Sequence, residues 1–426
     1  MERTTTATIE KTAVEQAPAH WWQVGPQAWK ALIASGLGWM LDSMDVMLYS
    51  MILVNIMADL HMNKSIGGLL ASLTLLSSAA GGILFGVLAD RIGRTRSLLY
   101  SVLIYSVFTS LSGFSQTVSQ LALFRVFLGL GMGGEWVAGA ALVTEAWPAE
   151  HRGKAMGFVQ GCWAIGYAAA SLITALVLPT FGWRAVFFVG ILPALIIYAV
   201  RRTVKEPEIW TQRQATGGRR GSWQTFAEIF HAPHLKWTVL GSALSLFAQF
   251  GYWGLFTWIP TYLGTSAAEG GAGLTVTKTA LWVIIMQVGS WLGYVTFGFI
   301  ADRIGRRWTF FLFFAGAAVL VPFYGLTHTA STLLLLGPFV AFFGSGYFSG
   351  FGAVLAELFP TAIRATGQGF TYNFGRGVSA SAPFVVGTLA MTMGLGSAFF
   401  ATALSFALAA ITTLVFLPET KGKELV

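Results

Sequence analysis

The sequence predicts an all-α membrane protein, with twelve transmembrane helices in two pseudo-symmetric six-helix bundles. Composition is the first reason. Of 426 residues, 55% are hydrophobic and only 10% are charged, and the mean hydropathy is +0.66. A soluble domain carries about 25% charged residues, so this chain cannot cover a water-facing surface. Second, apolar stretches recur, each long enough to cross about 30 Å of hydrocarbon as a helix. Third, one set of landmarks appears twice. GVLADRIGRTR from Gly86 is answered by GFIADRIGRRW from Gly298, and EAWPAEHRGKAMG from Glu145 by ELFPTAIRATGQG from Glu357. Both 298 − 86 and 357 − 145 equal 212. One unit has been duplicated in tandem with its helix order kept, as in secondary transporters built from two parallel halves.

The elements follow in order. Residues 1–29 form a polar tail without an apolar core, so no cleavable signal peptide is expected, and Trp21, Trp22 and Trp29 read as an aromatic anchor. The first bundle, 30–201, holds spans near 30–58, 65–89, 97–115, 119–146, 155–179 and 184–201. A polar linker, 202–236, contains RRTVKEPE and TGGRRGS. The second bundle, 237–417, holds spans near 237–264, 278–300, 308–327, 331–356, 366–393 and 396–417, and 418–426 form the last tail. The loop TSAAEGGAGLTVTK, 265–278, is expected to be external and flexible.

Charge fixes the expected orientation. Of 26 Lys and Arg, only Lys64, Arg184 and Lys278 fall in odd-numbered loops, and Arg125 and Arg376 lie inside apolar segments. The remaining 21 border the tails and even-numbered loops, so both termini and the linker are expected in the cytoplasm. The net charge of +8 therefore meets anionic lipid headgroups and needs no nucleic acid. The single cysteine, Cys162, excludes an intrachain disulfide.

The repeated loops are candidates for a conformational latch. In the first, Gly86 and Gly93 allow close approach and a tight turn, and Asp90 stands beside Arg91 and Arg94. Its twin carries Asp302, Arg303, Arg306 and Arg307. Glu145 with Arg152, and Glu357 with Arg364, are the expected latch partners. A basic turn dictated by topology alone does not require aspartate at the same place twice.

These residues resemble the major facilitator superfamily. The doubled loop, the run Arg125, Gly129, Gly131, Gly133, Gly134, and the ending Pro418 to Gly422 match its patterns over nearly the whole chain. The resemblance implies two bundles rocking about a central site. Within the superfamily, GMGGEW at 131–136, FTWIPTYL at 256–263 and DSMD at 42–45 look most similar to bacterial organic-acid:proton symporters of the sialate, lactate and aromatic-acid branches. That implies a monomeric protein in the bacterial cytoplasmic (inner) membrane. The PETKGKEL ending is also a sugar-porter feature, so a sugar:proton symporter is the alternative, although the seventh helix lacks the glutamine-rich pattern of that group. The fifth helix has no proline and so lacks the element of proton-coupled drug antiporters. A non-transporting nutrient sensor on the same fold is a third reading; its long signalling tails are not expected here.

Five charges remain inside apolar segments, and intramembrane charge is expensive enough to suggest function. Asp42 and Asp45, three apart, share a helix face. Arg125 should reach the depth of Asp45, as an ion pair that either fixes two helices or opens to admit a proton. Glu135, without a permanent cation, is a proton-coupling candidate or a polar contact to the first or second helix. Asp42, Asp45, Glu135 and Arg125 are thus the coupling set. Arg376 has Ala164 as its counterpart, since 376 − 212 = 164, so this charge departs from the repeat. Either the substrate anion is its missing partner, bound bidentately, or it snorkels to the cytoplasm. Asn373, Tyr372, Gln249, Tyr252, Trp253 and Gln160 would complete a binding cavity.

No HExxH, CxxC, P-loop or Ser-His-Asp pattern stands in a suitable context, so no enzymatic activity, cofactor or metal is expected. GLGMGG at 129–134 has no preceding strand and reads as close helix packing. The sequence thus points to a proton-coupled importer of a small organic anion, such as a monocarboxylate.

Overall fold

The computed structural model describes residues 23–148, 151–195, 226–360 and 363–421. Trp21, Trp22, most of the linker, the end of the sixth span and Gly422 lie outside them, as do the side chains of Asp90 and Arg152.

Four long helices open the chain: α1 (Pro26–Asp59), α2 (Lys64–Ile92), α3 (Arg94–Ser112) and α4 (Val118–Ala146). The α2 and α4 starts are set locally. Asn63 and Thr117 accept side-chain hydrogen bonds from Ile66 N and Gln120 N, satisfying donors that a helix start leaves free. The fifth and sixth crossings, expected as two helices, are joined without a loop in α5 (Arg152–Phe188). Only Gly182, at φ 76°, breaks the helical path. That conformation is open to glycine and strained for other residues, which is how one residue turns the chain.

The second half is more broken. It contains α6 (Ala232–Phe256), α7 (Ile259–Gly264), α8 (Val276–Ile304), α9 (Arg306–Leu326), α10 (Ala330–Ser345), α11 (Phe348–Leu358), α12 (Arg364–Ser379), α13 (Ala382–Met393) and α14 (Leu395–Phe416). The seventh, tenth and eleventh crossings are each two helices: α6 with α7, α10 with α11, and α12 with α13. Pro260 and Pro383, in the first turns of α7 and α13, cannot donate to the preceding helix. Nine helical stretches among the described residues are long and apolar enough to cross a membrane. The less apolar α3, the crossing fused into α5 and the split α12–α13 pair bring the crossings to twelve.

Packing relies on small residues, because lipid offers no hydrophobic drive between helices. The GLGMGG run of α4 lies on α2. A Cβ at Gly129 or Gly133 would overlap the carbonyl oxygens of Thr74 or Ser78. Large apolar side chains such as Ile83, Leu176, Phe181 and Phe299, each at least 67% exposed, face outward as a lipid-facing belt. The external loop after α7 is not the flexible segment expected from its glycines. Ala272 N and Leu274 N donate to Tyr262 O and Leu263 O, and Gly273 N to Thr265 O, folding the loop back on α7.

The halves meet along α2–α13, α2–α12, α5–α8 and α1–α7. On the side that carries the α1–α2 and α7–α8 loops, expected to be the outer one, this seam is closed. A Cβ at Gly68 would strike the Pro383 backbone, one at Gly387 would strike that of Lys64, and Ser65 and Thr388 share a 3.0 Å hydrogen bond. At the inner ends of α5, α8, α11 and α12 the packing is loose. A Cβ at Gly153, Gly157, Gly298, Gly352 or Gly369 would meet no atom within 4 Å. The seam is closed on the expected outer side and, among the described residues, open on the other.

Candidate substrate cavity and coupling site

A cavity of about 370 Å³, counted with its open mouth, lies between the halves. Its wall is Trp39 of α1, Gln160 and Trp163 of α5, Gln249, Tyr252 and Trp253 of α6, Tyr294 of α8, Phe348 of α11, and Tyr372 and Arg376 of α12. Six of the seven expected substrate contacts are therefore together. Asn373 is the exception. It is one residue from Tyr372 on a 100° helical step, and its Nδ2 donates to Gly369 O of its own helix.

Trp39, Trp163, Tyr294 and Phe348 were missed. Two had a signal in the sequence: Trp39 lies three residues before Asp42, and Trp163 three after Gln160, so each shares a face with a residue already chosen. Trp136 and Trp163 both pack on Trp39, with centroids 4.5 and 4.6 Å away, and Trp253 meets Trp163 at 5.9 Å. Trp163 Nε1 donates to Tyr252 Oη at 2.5 Å, and Tyr167 Oη to Phe256 O at 3.0 Å, both across the halves. Gln249 Nε2 donates to Tyr372 O at 3.0 Å and ties α6 to α12.

Arg376 is 4% exposed and supplies the wall's cationic side chain. No carboxylate lies within ion-pairing distance of it among the described residues, but Asp42 and Glu135 of the other half act on it electrostatically. Those acids are each 1% exposed and influence one another. Glu135 is packed against Gly38, four residues before Asp42. The expected pairing of Asp45 with Arg125 needs correction. The two feel each other's charge but form no ion pair. The Arg125 guanidinium lies over the Tyr49 ring, 4.2 Å from its centroid. Tyr49 is one turn beyond Asp45 and takes the place facing the cation, whereas Asp45 lies against Thr109 and Gly190.

The latch residues are also placed. Arg94 grips Glu145 with both Nη2 to Oε1 at 3.0 Å and Nε to Oε2 at 3.4 Å. Arg306 meets Asp302 at 2.7 Å and Glu357 at 3.7 Å. The acids are therefore held by the arginines that open the third and ninth crossings; Glu357 meets Arg306 rather than Arg364, and the expected contact of Glu145 with Arg152 lies outside the described residues. Helix entry explains this: Gly93 and Gly305, at φ 109° and 95°, turn the chain so sharply that the next arginine points back at the bundle. Arg364 instead donates Nε to Ala356 O and Phe359 O. Gly86 is half-buried within α2, and Arg91 and Arg303 are exposed on the C-terminal ends of α2 and α8. The C-terminal tail reinforces the second latch. Glu419 accepts from Arg306 N at 2.8 Å and Arg307 N at 3.3 Å, Thr420 Oγ1 donates to Glu357, and Lys421 Nζ donates to Arg303 O at 2.8 Å. Both latches lie within single halves, as a seam open on this side requires.

A profile described as the Major Facilitator Superfamily matches residues 36–293. The chain belongs to the major facilitator superfamily. A second profile, for sugar and other transporters, matches residues 208–426. The chain is 35% identical to a probable 4-methylmuconolactone transporter of Cupriavidus pinatubonensis, covering 94% of this chain and 93% of that one. It is 31% identical to a cis,cis-muconate transport protein of Acinetobacter baylyi, covering 93% and 96%. Its fold matches a D-xylose–proton symporter crystal structure with a TM-score of 0.74 at 22% identity, over 94% of this chain and all of that one. This is a multi-pass secondary transporter whose relatives carry organic acids.

Proposed function

We propose that the protein imports a small organic acid, such as a monocarboxylate, together with one or more protons by alternating access. The observation that carries this reading is Arg376, a buried guanidinium on the wall of an aromatic cavity with no ion-pair partner among the described residues. A carboxylate bound there would gain two parallel charge-assisted hydrogen bonds, while Trp39, Trp163 and Tyr372 offer faces to a flat carbon skeleton. Relatives named for muconate and 4-methylmuconolactone support an organic acid as cargo.

Coupling follows from charge. Without substrate, Arg376 is balanced at a distance by Asp42 and Glu135. A substrate carboxylate takes over that role, and the two acids then face one another without their cation. Buried ionised groups need compensation, so proton entry on one of them accompanies anion binding. Only the loaded or the empty carrier hides its charge well enough to change sides. Asp45 and Arg125, further from the cavity, belong to the proton route. The basic loops support a cytoplasmic position for both termini, and in this reading the protein acts as a monomer in the inner membrane.

Proteoliposomes test this directly. Proton movement would be followed while lactate, pyruvate, sialate, aromatic acids, cis,cis-muconate and hexoses are added in turn. Flux with a carboxylate class and none with hexoses is expected. The sugar profile match favours the second reading, a sugar:proton symporter. Flux with hexoses alone would establish that reading and remove Arg376 from the anion role.

A further inference from the structure

The coupling acids do not line the substrate cavity. Asp42 and Glu135 are each 1% exposed, and the wall near them is made by Trp39 and Trp163, with Trp136 stacked on Trp39. Inside the N-terminal bundle the same acids belong to a different neighbourhood. Asp42 Oδ2, Glu135 Oε2, the Tyr105 hydroxyl, and Nε and Nη1 of Arg125 are all buried and lack a hydrogen-bond partner among the described residues, while Asp45 faces the Thr109 hydroxyl. These atoms come from three helices: α1, α3 and α4.

Tyr105 of α3 is buried close to the three acids. It is 0% exposed, and Asp42, Asp45 and Glu135 all act electrostatically on its hydroxyl. The position is built in. Gly131 of α4 lets α3 come so close that a Cβ there would lie 2.7 Å from Tyr105 N, and Ser101 Oγ donates to Gly131 O at 2.7 Å. Buried polar atoms are nearly always paired, and a buried water usually makes about three hydrogen bonds to groups that the protein leaves free. Several such atoms gathered from three helices make a site for water.

We propose that the N-terminal bundle encloses a hydrated proton compartment, separate from the substrate cavity, in which the Tyr105 hydroxyl connects Asp45 to the Asp42 and Glu135 carboxyls. The proposal rests on the proton-coupled reading above. In the transfer, a protonated Asp45 gives its proton to a water. That water passes a proton to the tyrosine oxygen as the tyrosine releases its own to the next water. The last water protonates Asp42 or Glu135. Asp45 ends as a carboxylate, the receiving acid ends neutral, and tyrosine and water are unchanged. The groups facing the relay are Asp42 and Asp45 from α1, Arg125 and Glu135 from α4, Cys162 of α5 beside Glu135, and Arg376 across the seam. Arg376 touches both compartments electrically. The anion in one and the proton in the other can then be coupled without sharing a path.

The test is Tyr105→Phe, which removes one oxygen and keeps the ring. In proteoliposomes, uptake driven by an inward proton gradient should fall about tenfold or more. Exchange of the same radiolabelled acid, taken from the vesicle panel, should stay within about twofold when no net proton moves. Asp45→Asn should show the same split. Gradient-driven uptake at the wild-type rate in Tyr105→Phe would overturn the compartment and leave proton symport standing. Parallel loss of uptake, exchange and binding would overturn it too, by making Tyr105 a packing residue. A second measurement needs no substrate. Carboxyl protonation of the full chain after a pH jump, followed by infrared spectroscopy, should be slower in Tyr105→Phe, and equal rates would overturn the relay. Wild-type vesicles that move no protons with any acid would remove the proton-coupled reading itself.

Discussion

Trp163 of the first half donates its indole N–H to the hydroxyl of Tyr252 in the second half, at 2.5 Å. Both residues line the cavity, and the bond ties the two bundles across it. Outward opening must break it. A typical hydrogen bond contributes about 0.5–1.5 kcal/mol, or a twofold to tenfold change in an equilibrium. Tyr252→Phe should therefore shift the resting population towards the outward-open form by that factor. Distance measurements between spin labels on the external ends of α2 and α13 would report it, and an unchanged distribution would mean that the bond adds nothing to closure.

Gly68 and Gly387 bring the α2 and α13 backbones into contact on the outer side. Gly68→Val places side-chain atoms where the Pro383 backbone lies. The protein should then be unable to close outside, net uptake should be lost, and external thiol reagents should reach a cysteine placed at Thr388. Normal uptake by Gly68→Val would contradict the closed seam.

Arg376→Ala should weaken binding of the transported acid by roughly 10- to 150-fold, the loss of about 1.5–3 kcal/mol for a hydrogen bond to a charged partner. Arg376→Lys should recover part of this, since it keeps the charge but not the bidentate fork. Equilibrium binding of radiolabelled acid to the purified variants decides the matter. Wild-type affinity in Arg376→Ala would make the residue structural.

Glu135→Gln and Asp42→Asn separate the roles of the two neighbouring acids. Wild-type uptake should rise as the external side is made more acidic than the lumen, because protons enter with the anion. In Glu135→Gln that dependence should vanish while exchange continues. Uptake with an unchanged pH dependence would take Glu135 out of the proton path and leave Asp42 to be tested in the same way.

Glu419 caps the start of α9 and supports the Arg306–Glu357 contact. Glu419→Gln keeps the shape and removes the charge. Loss of a charged cap at a helix start costs about 0.5–2 kcal/mol. A lower melting temperature with unchanged substrate affinity is expected. A drop in affinity alone would place the tail in the transport cycle in another way.

The fold was legible because membrane crossing leaves a coarse signature, namely length, apolarity and flanking charge. The duplication also let each half check the other. What was not legible is local. The join at Gly182 looked like an ordinary loop, since nothing in GWR shows that one glycine can carry the turn. The folded external loop was hidden by its glycines, whose backbone bonds to Tyr262 and Leu263 leave no trace in composition. Of the site, Arg376 and the α6 and α12 residues stood out because a charge or amide in an apolar run is conspicuous. Trp39 and Trp163 were hard to pick among 16 tryptophans, since an indole on a cavity wall and one facing lipid read alike and only the three-residue spacing to Asp42 and Gln160 marks them. The Asp45–Arg125 pair failed because depth alone was matched. Rotation about the helix axis decides contact, and it gave the guanidinium to Tyr49.

The indoles of Trp136, Trp39, Trp163 and Trp253 run in a continuous file along one flank of the cavity, with successive centroids 4.5, 4.6 and 5.9 Å apart. Three of the four line the wall that also carries Arg376, so an acid docked there is expected to change their emission, and the fluorescence of unlabelled protein would then report occupancy.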